Sequence, residues 1–174
     1  MMGASHLLHG VTTAAWTAYV LPLDTGMAVM VGVVGTGYAL APDLDHINGR
    51  ASRSTPDAHY LSSMVRAFGG HRTWTHDIRI GPPIFAAVTA TLVFLLHGPI
   101  GDHWWAFGIA ALVGCLTHIY GDARTISGVP YGAHRIHIGA TMRTGSDREL
   151  ALRRWIYRPV AVASVAATAW LALH

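Results

Sequence analysis

Hydrophobic positions along this chain come in long uncharged runs, not with the short period of an amphipathic helix or strand. Residues 3–23, 25–42, 80–101, 104–121 and 159–173 contain no Asp, Glu, Lys or Arg. A helix that crosses a bilayer needs about 20 mostly apolar residues, with roughly 17 to 25 tolerated. The runs at 25–42, 80–101 and 104–121 meet that length. The first run carries His6, His9 and Thr12-Thr13 within it, and the last is short, a tilted or marginal span. The pattern predicts an all-α integral membrane bundle of four or five transmembrane helices, with two polar loops on one face. Pro82-Pro83 suits a helix start, and the glycines of residues 25–42 suit close helix packing in lipid.

Composition sharpens this reading. Of 174 residues, 52% are hydrophobic and 12% charged, about half the charged fraction usual in soluble domains. The length suits one domain, 1–174. All twelve cationic side chains are arginines, confined to Arg50–79 and Arg124–158. If all five runs span, the N-terminus and both long loops share one side, and every arginine lies there. Short cytoplasmic loops carry the Lys/Arg excess, so that side is expected to be cytoplasmic, in a bacterial-type inner membrane. The net charge of +3 is no nucleic-acid signal, because each arginine cluster borders apolar segments and can face lipid headgroups. Cys115 reads as a small core hydrophobe.

On the arginine-bearing side the sequence also collects groups that bind metals. They are His6 with His9 one turn on; Asp43, Asp45 and His46; His71, His76 and Asp77, with Arg72 between the two histidines; and His118 with Asp122. Residues four apart on a helix stack on one face, so His118 and Asp122 can hold one ion together. Imidazole and carboxylate donors suit zinc and also accept manganese or iron. Seven or eight donors exceed the four of a closed structural zinc site, enough for one or two ions. A pair of ions would activate water and stabilise the leaving oxygen of a phosphoester. Arg72 can neutralise a phosphate oxygen, and His46 or Asp77 can shuttle the proton. His59, His97, His103, His134 and His137 read as interfacial or loop histidines. Glu149, the lone glutamate, reads as the start of a surface helix or a late ligand.

Taken together, Ser5-His6-Leu7-Leu8, APDLDH at 41–46, RAFGGHRTWTHD at 66–77 and THIYGDARTISGVP at 117–130 are similar to the YdjM-like membrane-bound metal-dependent hydrolases. These are also described as LexA-binding, inner-membrane-associated hydrolases. GSDRELALR at 145–153 is a weaker match. The resemblance implies a small helical membrane protein with a metal site at His6, Asp43, Asp45, His46, His71, His76, His118 and Asp122, and hydrolytic activity. Asp77 departs from the family pattern and is expected to add a ligand or an acceptor for His76. The expected function is hydrolysis of a phosphoester or lipid-linked ester by metal-activated water. Membrane lipid would be a neighbour, and a phospholipid or lipid-linked molecule the substrate. The alternative is a non-enzymatic, metal-stabilised module that binds a cytosolic protein through its arginine-rich loops. Metal or proton transport is disfavoured, since the second and third runs lack central ionisable groups. Haem is disfavoured because abundant aspartates suit a harder ion.

Overall fold

The computed structural model describes residues 3–46, 55–69, 73–96, 101–139 and 142–173. The uncharged runs form helices: α1 (Gly3–Val20), α2 (Thr25–Tyr38), α4 (Gly81–Leu95), α5 (Trp104–Ala123) and α7 (Arg158–Leu173). Between α2 and α4 lies a shorter helix, α3 (Pro56–Ala67), and α6 (Asp147–Leu152) precedes α7. Local chemistry sets the helix starts. The Asp24 carboxylate accepts from Met27 N at 3.0 Å, and Thr55 Oγ1 accepts from Ala58 N at 3.1 Å with Pro56 next in line. Pro42 lies just beyond the end of α2, where the chain tightens into a 3-10 turn over Ala41–Asp45.

Helix α5 is the axis of the bundle. Thirteen of its twenty residues are buried, and it packs against α1, α2 and α4. The buried stripe of α1 is Ser5, His6, Gly10, Ala14 and Ala18, nearly all at four-residue spacing, while α7 leans on α1 through Ala161, Ser164 and Thr168. The outer faces are apolar as well: Val29, Val33, Val88, Leu92, Val162 and Leu173 are exposed. Helices without a polar outer face suit lipid as the solvent. Among the described residues, two helical stretches are long and apolar enough to cross a bilayer, Gly101–Ala123 and Asp147–Leu173. At 1.5 Å per residue, the 14 residues of α2 and 15 of α4 reach only about 21 and 22 Å. Their regular helices are therefore shorter than the apolar runs that contain them.

Three features depart from the sequence expectation. The last span is not short, because α6 continues into α7 through one π turn, Arg153–Tyr157. Pro159 explains the irregularity: it has no N–H to return to residue 155, so the hydrogen-bond ladder must shift register there. The fold is also not purely helical. An antiparallel hairpin pairs Val129–Tyr131 (β1) with His134–Ile136 (β2), and Gly132 takes φ 61° in its turn. Finally, Glu149 does begin a helix, in the first turn of α6, yet it does not face outward. Its side chain is buried, and its carboxylate accepts from Gly145 N at 2.8 Å.

Candidate metal centre

Five side chains converge at one end of the bundle: His6 from α1, Asp43 from the 3-10 turn, His76 from the loop before α4, and His118 and Asp122 from the last turns of α5. Two overlapping groups have ligand atoms within 4.8 Å of one another, His6–His118–Asp122 and Asp43–His76–His118. His6, His76, His118 and Asp122 are fully buried, whereas the Asp43 side chain keeps 18% exposure and forms the open edge.

The imidazoles are oriented from behind. His118 Nδ1 lies 2.8 Å from the Ala39 carbonyl oxygen. A carbonyl only accepts, so Nδ1 carries the proton and Nε2 presents a lone pair. That Nε2 is buried without a hydrogen-bond partner, 3.6 Å from Asp43 Oδ1 and 3.7 Å from Asp122 Oδ2. His76 follows the same logic. Thr75 Oγ1 donates to Asp45 Oδ2 at 2.6 Å, so its oxygen is left to accept from His76 Nδ1 at 3.0 Å. His76 Nε2 then faces Asp122 Oδ2 at 3.5 Å and Asp43 Oδ1 at 3.8 Å. His6 Nε2 meets Asp122 Oδ1 at 3.1 Å, and its ring stacks on His118 with centroids 3.7 Å apart.

Such stacking requires α1, α2 and α5 to approach closely, and glycines allow it. A methyl group at Gly10 would lie 2.4 Å from Ala39 Cβ; one at Gly114 would lie 2.3 Å from the Gly35 carbonyl oxygen and 3.1 Å from Ala39 N. Gly10 is one turn after His6, and Gly114 one turn before His118. Both therefore pack around Ala39, whose carbonyl orients His118.

The donor chemistry fits a divalent cation. Carboxylates from Asp43, Asp45 and Asp122 crowd imidazoles that are buried, and buried charge requires a counter-charge. Burial alone would pull His76 down, but the carboxylates of Asp122 and Asp45 outweigh it and hold the imidazole above its ordinary value. The carboxylates therefore favour a cation beside them, and a proton on His76 and a metal ion would compete for the same pocket.

Asp45 is buried behind His76, on its Nδ1 side at 3.4 Å, outside both donor groups. Orienting partners of this kind fix a ligating histidine's tautomer. His46 is exposed beside the open edge. Asp77 faces away into a clamp: Arg79 Nε and Nη2 donate to its two oxygens at 3.1 and 3.0 Å, and Gly132 N donates to Oδ2 at 2.9 Å. The Arg79 guanidinium holds this carboxyl well below the usual range, and these contacts tie the hairpin tip to the loop bearing His76. His71 and Arg72 lie outside the described residues. His9 packs its ring on Tyr157, centroids 4.3 Å apart, and is not in either donor group. Sequence reasoning missed Thr75 and the Ala39 carbonyl. The available signal was a hydroxyl next to His76 and the glycine four residues from each helical donor histidine, Gly10 from His6 and Gly114 from His118.

The chain as a whole has relatives. A model of the YdjM inner membrane protein family matches residues 1–172. The chain belongs to that family. A Bacillus subtilis (strain 168) protein described as "Uncharacterized protein YvsG" is 28% identical over 152 residues, covering 86% of this chain and 85% of its own length. No solved structure matches. Family membership makes this an inner-membrane protein, and the site is a cluster of buried His and Asp side chains that can hold a metal ion.

Proposed function

We propose that this chain is a multi-pass metal-dependent hydrolase whose site faces the cytoplasmic surface of the inner membrane. Its substrate would be a phosphoester or lipid-linked ester. The observation that carries the reading is the convergence of His6, Asp43, His76, His118 and Asp122 with the His118 Nε2 lone pair turned inward. Their donors suit zinc first, with manganese or iron accepted by the same set.

The five-run topology supports the orientation, since it leaves all twelve arginines on the side of the site. Bound there, the ion supplies acidified water and charge neutralisation. The residues do the rest. Asp43, the half-open donor, marks where a headgroup can enter, and exposed His46 three residues on is placed to carry a proton to solvent. Asp77 is a poor proton acceptor because Arg79 already occupies it; it serves as a strut. A five-donor set with an open edge is unlike a closed four-ligand structural site, and this favours catalysis over a purely stabilising metal.

Elemental analysis of protein purified in detergent tests the first half of the reading, and phosphodiester and phospholipid turnover the second. Wild type is expected to retain a transition metal and turn over substrate, with His118→Ala and Asp43→Ala losing both. Metal-replete wild type that turns over nothing, while neutralised loop arginines abolish capture of a cytosolic protein, would instead favour the non-enzymatic module.

A further inference from the structure

Helix α3 is not explained by the metal centre. It packs on the Ala41–Asp45 turn, where Ser62 and Val65 are its buried residues. The flank beside them is apolar and open: Tyr60 is 72% exposed, Leu61 47%, Met64 63% and Phe68, at the C-cap, 79%. At 3.6 residues per turn these four positions fall within an arc of about 100°, and exposed Asp57 in the first turn marks the N-terminal end of that stripe. His59, Ser63 and Arg66 occupy a different, polar arc.

We propose that α3 is an interfacial helix, with the Tyr60–Leu61–Met64–Phe68 stripe embedded in the headgroup–acyl boundary of the membrane's own anionic leaflet. Three observations select lipid as the occupant. The helix rests on the turn that directly follows α2, so it sits at the membrane border by construction. An exposed aromatic and aliphatic stripe beside a polar arc is the pattern of helices lying in the interface plane. The segment from 50 to 72 carries Arg50, Arg53, Arg66 and Arg72 against the single acid Asp57, a charge that complements anionic headgroups and repels a basic partner. The consequence is that Asp43, the open edge of the candidate centre, is held at headgroup level by a helix anchored in the same leaflet. This inference rests on the membrane location of the family and not on the hydrolase reading.

The lone Cys115 is fully buried, so single cysteines introduced on α3 can be labelled selectively. An environment-sensitive fluorophore is placed at Met64→Cys, Phe68→Cys or Ser63→Cys, in nanodiscs of mixed zwitterionic and anionic phospholipid. Spin-labelled lipids are expected to quench labels 64 and 68 strongly and 63 weakly, with aqueous iodide giving the reverse order. Removing the anionic lipid should shift labels 64 and 68 toward the aqueous signature. A second variant, Tyr60→Asp with Phe68→Asp, should release the label at 64 to water while elemental analysis shows the metal unchanged. Equal iodide access at 63 and 64 overturns the proposal. So does protection of 64 that vanishes when one copy per disc is enforced, since the stripe would then be an interface between copies. Loss of metal from wild type with the quenching pattern intact would sink the metal centre and leave α3 in place.

Discussion

Gly114→Ala is the most informative perturbation of this fold. Alanine is the better helix former by about 1 kcal/mol, so on propensity alone the change should stabilise α5. The structure predicts the opposite. The added Cβ would sit 2.3 Å from the Gly35 carbonyl oxygen and 2.8 Å from Tyr38 Cβ, where ordinary contact begins at 3.4 Å. The first obstacle is backbone, which cannot swing aside as a side chain can, so α2 must move off α5 by close to 1 Å. Overpacking of this kind costs about 1–3 kcal/mol, so after the propensity gain of about 1 kcal/mol the net destabilisation should be about 0–2 kcal/mol. The displacement also acts on the site, because the end of α2 carries the Ala39 carbonyl that fixes His118 Nδ1 at 2.8 Å. Loss of such an orienting bond lowers metal affinity about 10–100-fold. Gly37→Ala is the control, since a methyl there meets nothing within 4 Å. Thermal unfolding in detergent and competitive zinc titration against a chelator report both effects. A Gly114→Ala protein that melts no lower and binds zinc no more weakly than Gly37→Ala would refute the account of how the helices set the site.

Other expectations follow from the same geometry. Thr75→Val removes the hydroxyl that links Asp45 to His76, and should lower zinc affinity about 10–100-fold with the helical circular dichroism retained. Zinc at about 100 times its Kd should raise unfolding free energy by about 2.7 kcal/mol; a thermal scan with and without chelator checks this, and no difference would count against a bound ion. Asp77 is depressed below its ordinary value of 3.8 by Arg79, so its contribution is fully present above that pH and fades as pH falls through the lower folded value. Amide protection of residues 129–136, relative to the intrinsic exchange rate at each pH, should therefore be high at neutral pH and fall in strong acid, while Asp77→Asn should be weakly protected at both. Zinc affinity should fall as pH drops, because the raised His76 imidazole takes up a proton in competition with the ion.

The uncharged runs determined where these helices start, while their ends differ by up to four residues: the predicted 3–23, 25–42 and 104–121 became Gly3–Val20, Thr25–Tyr38 and Trp104–Ala123. Local chemistry suffices there, because apolar length and capping residues act over a few positions. The pairing of His118 with Asp122 was legible for the same reason, since a four-residue offset fixes a shared helix face. The π turn before Pro159 and the hairpin at 129–136 were not. The first needed the ladder around one proline, and the second a long-range anchor on Asp77.

Beyond the His118–Asp122 pair, which donors meet was decided by tertiary structure. His6 and His9 both read as candidates, yet a three-residue offset turns them apart, one to Asp122 across 116 positions of sequence and the other to Tyr157. Asp43 and Asp45 differ as sharply, one at the open edge and one behind His76. The residue types were present in the sequence from the start. Their assembly depends on how closely α1, α2 and α5 cross, which is set by backbone-to-backbone contact at Gly10 and Gly114 and by no periodicity along the chain.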